Sequence, residues 1–166
     1  MVIMGIDPGL ASTGFGVIEL TGQKRRYHTS GLVRTYPSTP SALRLAQIIR
    51  KLREVIVREK VDCIAVEAGF VGKNAQTALK LGQARAAALL AGQLEATEVH
   101  EYAPREVKMA LTGRGSAAKQ QVQFIVGKLL GLTFDAGEED ISDALALALC
   151  HSLRLGTPFS RRRGCS

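Results

Sequence analysis

Short apolar runs and longer stretches of helical periodicity follow one another along the chain. Apolar runs at residues 2–7, 15–20 and 27–33 predict three strands, and a Pro-Gly turn makes the first two a β-hairpin. Two further short runs, at 61–66 and 97–103, predict strands that lie between helices. Elsewhere apolar residues recur at the spacing of one helix face. The predicted helices cover residues 41–60, 75–94, 104–111, 117–130 and 140–155.

The order of these predicted elements defines a fold class. Three consecutive strands favour an antiparallel meander, and the later alternation of strands and helices favours βαβ crossovers onto the same sheet. We therefore predict an α/β fold with a mixed five-stranded sheet and helices on both faces. Residues 1–156 are predicted to form a single domain. The remaining residues, 157–166, have no apolar pattern and carry successive arginines, which predicts a basic, disordered tail.

Composition narrows the class of partner. The chain of 166 residues has a formal net charge of +7 and an isoelectric point near 9.7, which favours an anionic partner such as nucleic acid. A basic surface without such a partner is the alternative. Cys63, Cys150 and Cys165 match no zinc-binding spacing, and Cys63 and Cys150 are expected as buried, reduced thiols because they lie in an apolar strand and an apolar helix. No apolar run is long enough for a membrane span and no signal-peptide pattern opens the chain, so we expect a cytoplasmic protein without membrane contact.

Single carboxylates stand at the ends of two predicted strands. Asp7 ends the first apolar run and Glu67 follows the fourth, so the two acids share one edge of the sheet if those strands are neighbours. Asp140 and Asp143 lie on one face of the last predicted helix because they are three residues apart. Four converging acids would repel one another, and their pKa values would rise, unless a divalent cation neutralised them. Carboxylate oxygens favour Mg²⁺ or Mn²⁺ over zinc, and a pair of such ions hydrolyses phosphodiester bonds.

Each acid also has an ordinary structural interpretation. Asp140 is a suitable helix cap, and Asp143 suits the positive end of a helix. Asp7 could be a turn residue before Pro-Gly, and Glu67 a surface acid at a strand end. The acids at 138–139 compete for the metal role. Two strand-end acids combined with a distant Asp-x-x-Asp pair in a basic chain nevertheless favour a metal site.

Several long blocks of sequence are specific enough to indicate a family. They are GIDPG at residues 5–9, KNAQTALKLGQARAAA from Lys73, YAPREVKMALTGRGSAAKQQV from Tyr102 and DISDALALA from Asp140. Together with Glu67 and the nearby Phe70, these blocks resemble the RuvC family of bacterial Holliday junction resolvases. The resemblance covers nearly the whole chain except the tail. GIDPG alone is a weak signal, since other members of the same fold share it.

The resemblance implies an RNase H-like fold, a homodimer and a nuclease with two Mg²⁺ ions per subunit, for which Mn²⁺ substitutes. It implies symmetric cleavage of four-way junction DNA, which leaves nicks with 5′-phosphate ends. The implied cellular role is in recombination and DNA repair, and the implied partner is the RuvAB branch-migration complex. Lys119 matches a family lysine that assists catalysis through charge on the phosphate. The family's catalytic acids, which bind the metal, match Asp7, Glu67, Asp140 and Asp143.

Contact with DNA is expected from basic and aromatic residues. Lys108 and Lys119 match family basic residues and bracket a flexible Gly-Arg-Gly-Ser stretch, where Gly-rich turns suit phosphate contact, although either lysine alone could be an ordinary solvated side chain. Phe70 matches a family aromatic that stacks on an unpaired base, or else it anchors its loop in the core. The DNA-binding candidates are Phe70, Lys73, Lys108, Arg114 and Lys119.

The predicted helix at 75–94 is the candidate dimer surface. Its small residues between 82 and 91 suit close packing against another helix, either in the same chain or in a second subunit.

Three other functions are consistent with parts of the sequence. An RNase H-like nuclease of other specificity and a non-catalytic junction-binding module both stay open. An actin-like sugar kinase shares the Asp-x-Gly motif but needs a second lobe, for which 166 residues are too few.

Overall fold

A computed structural model describes residues 1–69 and 74–155 of the chain. The strands are β1 (Val2–Asp7), β2 (Ser12–Thr21), β3 (Lys24–Arg34), β4 (Cys63–Glu67) and β5 (Glu98–Tyr102). The helices are α1 (Ser41–Glu59), α2 (Ala75–Leu94), α3 (Pro104–Thr112), α4 (Lys119–Leu130) and α5 (Glu139–Leu155). The predicted elements are confirmed in type and order. The tail at 157–166 lies outside the described residues, so the division into domain and tail stays a prediction.

The five strands form one sheet in the order β3-β2-β1-β4-β5. β1 pairs antiparallel with β2 and parallel with β4, so it lies at the centre and joins the hairpin half to the crossover half. β5 adds a second parallel pair beside β4. The predicted mixed sheet is confirmed, because consecutive strands close as hairpins and helices carry the chain between the later, parallel strands.

The β2–β3 hairpin is longer than the apolar pattern predicts. Thr21 pairs with Lys24 across a tight turn in which Gly22 has a φ of 60°. The outer part of the hairpin is exposed and polar, so it carries no apolar run. A β-bulge inserts His28 opposite Val17 and Ile18. The bulge and the charged side chains along β3 protect this edge strand from pairing with another chain.

Helices cover both faces of the sheet, as predicted. Met4 and Ile6 of β1 pack against α1 and α2, whereas Ile3 on the opposite face packs against α3, α4 and α5. This alternation is the period of two that a doubly covered strand requires. α5 is enclosed between the sheet and the helices α3 and α4, and its residues from Ala144 to Ser152 are all buried. Its apolar character all round is therefore explained by packing on every side.

The remaining general expectations concern membranes and thiols. Across residues 1–69 and 74–155, no helix has the length and apolar character that a bilayer crossing needs. Cys63 and Cys150 are buried free thiols, as expected, and Cys165 lies outside the described residues.

Polar bonds hold the C-terminal end of α5. The Tyr102 hydroxyl lies 2.6 Å from Nδ1 of His151 inside the core, and Arg154 makes a 2.8 Å ion pair with Glu106 of α3. Burial, followed by the charges of His100 and Arg154, lowers the pKa of His151 to about 4, so its ring is neutral at physiological pH. Burial raises the pKa of Tyr102 to about 12. The phenol therefore keeps its proton, and it donates a hydrogen bond to Nδ1 in the tautomer whose proton is on Nε2.

We expect His151 to make the fold less stable in acid. Between its ordinary pKa of 6.5 and its folded pKa of about 4, the unfolded chain binds a proton that the buried ring does not. This group's contribution to the free energy of unfolding therefore falls as the pH falls, by on the order of 1–2 kcal/mol at about pH 5. His151→Gln, whose amide still accepts the Tyr102 bond, should show a smaller acid-induced loss. Denaturant unfolding of both proteins from about pH 8 to about pH 5 measures the difference, and equal losses would contradict the expectation.

Candidate active site

The two strand-end acids lie side by side. β1 and β4 are parallel neighbours, and Ile6 pairs with Val66 in their register. Asp7 and Glu67 directly follow these paired residues and end their strands. Both carboxylates therefore leave the same edge of the sheet, which is the arrangement that their strand-end positions predict.

Glycines let α5 cross the sheet at very short range. A Cβ atom added at Gly5 of β1 would lie 1.8 Å from the backbone oxygen of Ala144, and one added at Gly14 of β2 would lie 2.2 Å from that of Asp140. No side chain fits in either gap, so only glycine allows the helix backbone to rest on the strands. The first turns of α5, which carry Asp140 and Asp143, are thereby held against the end of β1.

These strand glycines are functional residues that the sequence reasoning missed. Gly16 belongs to the same set, because a Cβ atom there would lie 2.5 Å from the side chain of Leu145. The signal was available in the sequence. A glycine inside an apolar strand pattern marks a place where another backbone approaches closely, and Gly5 and Gly16 stand in such patterns. Gly14 directly precedes the second apolar run, so only the strand pairing places it in β2.

The four carboxylates form one electrostatically coupled cluster. Burial, and then repulsion from Glu67, Asp143 and Asp140, raises the pKa of Asp7 to about 7. Burial and repulsion from Asp143 also raise the pKa of Glu67. A cluster of this kind is stabilised by a cation, which would favour the charged form of every acid.

The Lys119 ammonium supplies positive charge to the cluster. Its Nζ lies 2.8 Å from Oδ2 of Asp143. Partial burial disfavours the charged ammonium, but the hydrogen bond to Asp143 and the attraction of Asp7 outweigh burial and raise the pKa of Lys119. Lys119 and, to a smaller extent, Lys108 also oppose the rise in the pKa of Glu67. Both lysines therefore lie close enough to the acids to act on groups bound there.

The donor set fits a hard divalent cation. Four carboxylates offer only oxygen ligands, which suit Mg²⁺ or Mn²⁺, and the pKa values of Asp7 and Glu67 are raised by burial first and by the neighbouring negative charges second. In the part of the chain that the structure describes, no three acidic, His or Cys side chains stand together closely enough to form a metal site as they are. The fit is therefore one of chemistry and charge, and the number and identity of the ions stay predictions.

The two competing acids at the start of α5 bond to the preceding loop instead. The Glu138 carboxylate accepts a hydrogen bond from the backbone N–H of Asp135 at 2.9 Å, and that of Glu139 accepts one from Gly137 at 3.4 Å. Backbone hydrogen bonds lower the pKa of Glu139. Both side chains therefore stabilise the turn that leads into α5.

Arg114 lies outside the acid cluster. Arg114 is exposed in the turn between α3 and α4, where its backbone N–H donates to Oγ1 of Thr112 at 3.1 Å. Phe70 and Lys73 fall outside the described residues. A role in DNA binding stays a prediction for all of these residues.

Strand-end acids on neighbouring parallel strands, with two further acids on a helix packed across the sheet, define an RNase H-like protein of the nuclease class. A family model described as Crossover junction endodeoxyribonuclease RuvC matches residues 3–151. The protein of that description from Desulforamulus reducens is 49% identical over 152 residues, which cover 92% of this chain and 93% of the relative. The chain therefore belongs to the RuvC family.

Two solved structures agree with this assignment. The Thermus thermophilus RuvC structure is 37% identical with a TM-score of 0.85, covering 95% of this chain and 98% of that one. T. thermophilus RuvC in complex with Holliday junction substrate is 36% identical with a TM-score of 0.88, covering 94% of this chain and 95% of that one. The predicted RNase H-like fold is confirmed.

Gly14→Ala should displace the acids on α5. The added methyl group would meet the backbone of Asp140, so the first turn of α5 must move away from β2. We expect Mg²⁺ binding to weaken roughly tenfold or more, because a shift of about 1 Å in the donors is sufficient for a loss of that size. The rise in melting temperature with Mg²⁺ concentration measures this affinity.

Ser38→Ala is the control, since Ser38 is exposed in the turn before α1 and takes no part in the contact between α5 and the strands. It should leave the Mg²⁺ dependence unchanged. An unchanged Mg²⁺ dependence in Gly14→Ala would show that the close approach of α5 does not position the acids.

Proposed function

We propose that this chain is a metal-dependent endonuclease that resolves four-way DNA junctions. It makes paired, symmetric cuts that leave 5′-phosphate nicks, in recombination and DNA repair. The observation that carries the proposal is the coupled cluster of four carboxylates with Lys119 beside them. Family membership supports it, since a relative is described as a crossover junction endodeoxyribonuclease and T. thermophilus RuvC binds a Holliday junction substrate. The net charge of +7 suits a polyanionic substrate.

The carboxylates are the proposed holders of the metal. Asp7, Glu67, Asp140 and Asp143 would bind two Mg²⁺ ions, for which Mn²⁺ can substitute. Such a pair, when bound, supplies a hydroxide nucleophile and stabilises the departing 3′ oxygen. Asp7 has a pKa of about 7 in the cluster, so protons compete with the cation for its oxygens below neutral pH.

Lys119 is proposed to stabilise the phosphate during cleavage. The bond to Asp143 keeps the ammonium charged and directed toward the acids. From there its N–H groups can donate to phosphate oxygens as negative charge develops on them. Lys108 and Arg114 would extend this positive charge along the DNA backbone, and Phe70 and Lys73 are DNA-binding candidates on the family resemblance alone.

A homodimer is the proposed functional unit, with the exposed face of α2 at its interface. One face of α2 is buried in the core through Ala84 and Ala88. The other exposes Leu79, Leu90 and Leu94 by 69%, 52% and 57% of their surfaces. Apolar residues on both faces are expected of a helix that is covered on both sides. A two-fold dimer would present two active sites to a two-fold junction, which explains paired cuts by symmetry.

Family membership also supports two broader proposals. The enzyme would act in the cytoplasm, where buried free thiols such as Cys63 stay reduced. It would work beside the RuvAB branch-migration complex, for which the family resemblance is the only support.

Cleavage of a synthetic four-way junction with Mg²⁺ tests the proposed function. Duplex DNA and an RNA–DNA hybrid of the same sequence are the controls. Symmetric cuts in the junction alone are the expected result. Equal cleavage of the hybrid would indicate an RNase H-like nuclease of other specificity, and binding without cleavage would indicate a non-catalytic module.

Asp7→Asn should abolish cleavage while junction binding persists. The amide has lost the charge that a hard cation requires, so we expect the cleavage rate to fall roughly a thousandfold or more. Junction affinity without metal should change little, since phosphate contacts lie on other residues. Glu98→Gln is the matched control, because its side chain is 74% exposed at the start of β5. Retained nicking by Asp7→Asn would refute the metal assignment.

Leu90→Glu should convert the dimer into a monomer. A charge buried in an apolar interface is costly, so the association should weaken by several orders of magnitude. Leu43→Glu on α1, where the leucine is 60% exposed, is the control and should stay dimeric. Sedimentation at micromolar concentration separates the outcomes. A wild-type protein that sediments as a monomer, or a dimeric Leu90→Glu variant, would rule out this interface.

A further inference from the structure

An open groove of about 550 Å³ lies between the α3–α4 turn and the side of α4. Its size is within the range of small-molecule sites. The lining contains one cationic side chain, two amide side chains and one aromatic ring, which lie around a small apolar surface. The residues that matter are Arg114, Ala117, Gln120, Gln121, Phe124 and Ile125.

Phe124 is the most unusual residue of this groove. It projects from the middle of α4 with 65% of its surface exposed, and nothing in the acid cluster involves it. The Nζ of Lys128, one helical turn further along, lies 5.5 Å from the centre of its ring. An exposed aromatic ring beside cations is the arrangement with which proteins stack unpaired nucleic acid bases.

Arg114 adds a free cation to the same groove. Its backbone is held in the turn, where the carbonyl oxygen accepts a hydrogen bond from the Thr112 hydroxyl at 2.9 Å. Its guanidinium makes no hydrogen bond or ion pair to any residue within 1–69 or 74–155. The side chain can therefore reach an anion that the groove admits. Guanidinium groups recognise phosphate with paired N–H donors.

The charge around the groove suits a polyanion. Residues 107–134 contain no Asp or Glu, and four cations stand in this stretch. They are Lys108, Arg114, Lys119 and Lys128. Arg114 in the groove and Lys128 beside Phe124 favour a nucleic acid over a protein partner as the occupant.

We propose that this groove binds a single unpaired nucleotide of the DNA substrate. The base stacks on Phe124, its phosphate pairs with Arg114, and the amide of Gln120 bonds to the base edge. The amide oxygen of Gln121 already accepts a hydrogen bond from the backbone N–H of Ala118 at 3.1 Å. A paired duplex offers no free base face to an aromatic ring, so the occupant is an unpaired nucleotide. The site rests on the proposed function and adjoins it, since Gln120 follows Lys119, which bonds to Asp143. Amide contact to a base edge gives the site a means to select sequence.

A tryptophan reporter tests the proposal in the full chain. The chain has no Trp, so Phe124→Trp introduces a single indole, placed in the cleavage-inactive Asp7→Asn background. A single-stranded oligonucleotide and a four-way junction should both quench its fluorescence, and an intact duplex should not. Leu129→Trp in the same background is the matched control, because Leu129 lies on the same helix, is 47% exposed and does not line the groove. Its fluorescence should stay constant.

Affinity measurements give a second readout. Phe124→Ala should weaken binding of the single-stranded oligonucleotide about 5- to 100-fold, which is the usual cost of removing one stacked base. Arg114→Gln should lower the slope of log affinity against log salt by about one, as expected for the loss of one phosphate contact.

Three results would overturn the proposal: equal quenching of Phe124→Trp and Leu129→Trp, equal quenching by duplex, or unchanged affinity of Phe124→Ala. Cleavage of the junction by the wild-type chain is scored separately. If cleavage persists while the groove tests fail, the groove is not a nucleotide site and the proposed function stands.

Discussion

The mutual repulsion of four carboxylates at one edge of the sheet is the constraint on which this structure depends. Asp7 and Glu67 are held together by the parallel pairing of β1 and β4, and α5 brings two more acids against them. Burial first, and this repulsion second, raises the pKa values of Asp7 and Glu67. Lys119 offsets part of it. The rest of the fold has to hold these groups in place until a cation neutralises them.

Helix α5 is the main element that holds the acids in place, because its middle lies in the core and its first turns carry Asp140 and Asp143. Its middle is buried on every side, and its backbone touches β1 and β2 through strand glycines. Bonds from Tyr102 and Glu106 fix its C-terminal end. Packing therefore resists the movement that would separate the acids. Stability and metal binding are linked through the same helix, so changes in its packing should affect both.

The charge distribution divides the molecule into surfaces with different roles. Acids are concentrated where cations are needed, whereas residues 107–134 are basic and free of acids. The exposed side of α2 carries three leucines among amide and small side chains, with Lys80 as its exposed charge. A metal site, a DNA-facing surface and a subunit interface can thus occupy separate parts of a small protein. The electrostatic contacts to DNA would weaken with salt, whereas an apolar interface would not.

The sequence by itself determined the elements, their order and the candidate acids, because apolar periodicity and strand-end position are local properties of the chain. Only the tertiary structure decided how closely α5 rests on Gly5 and Gly14, that Lys119 bonds to Asp143, and that the carboxylates of Glu138 and Glu139 serve their own loop. The full length of the β2–β3 hairpin also came from pairing, since its exposed end has no apolar signal. These features are contacts between residues that the local pattern does not connect. The charge on Asp7 depends on acids about 130 positions away, and that distance closes only when the helix packs on the sheet.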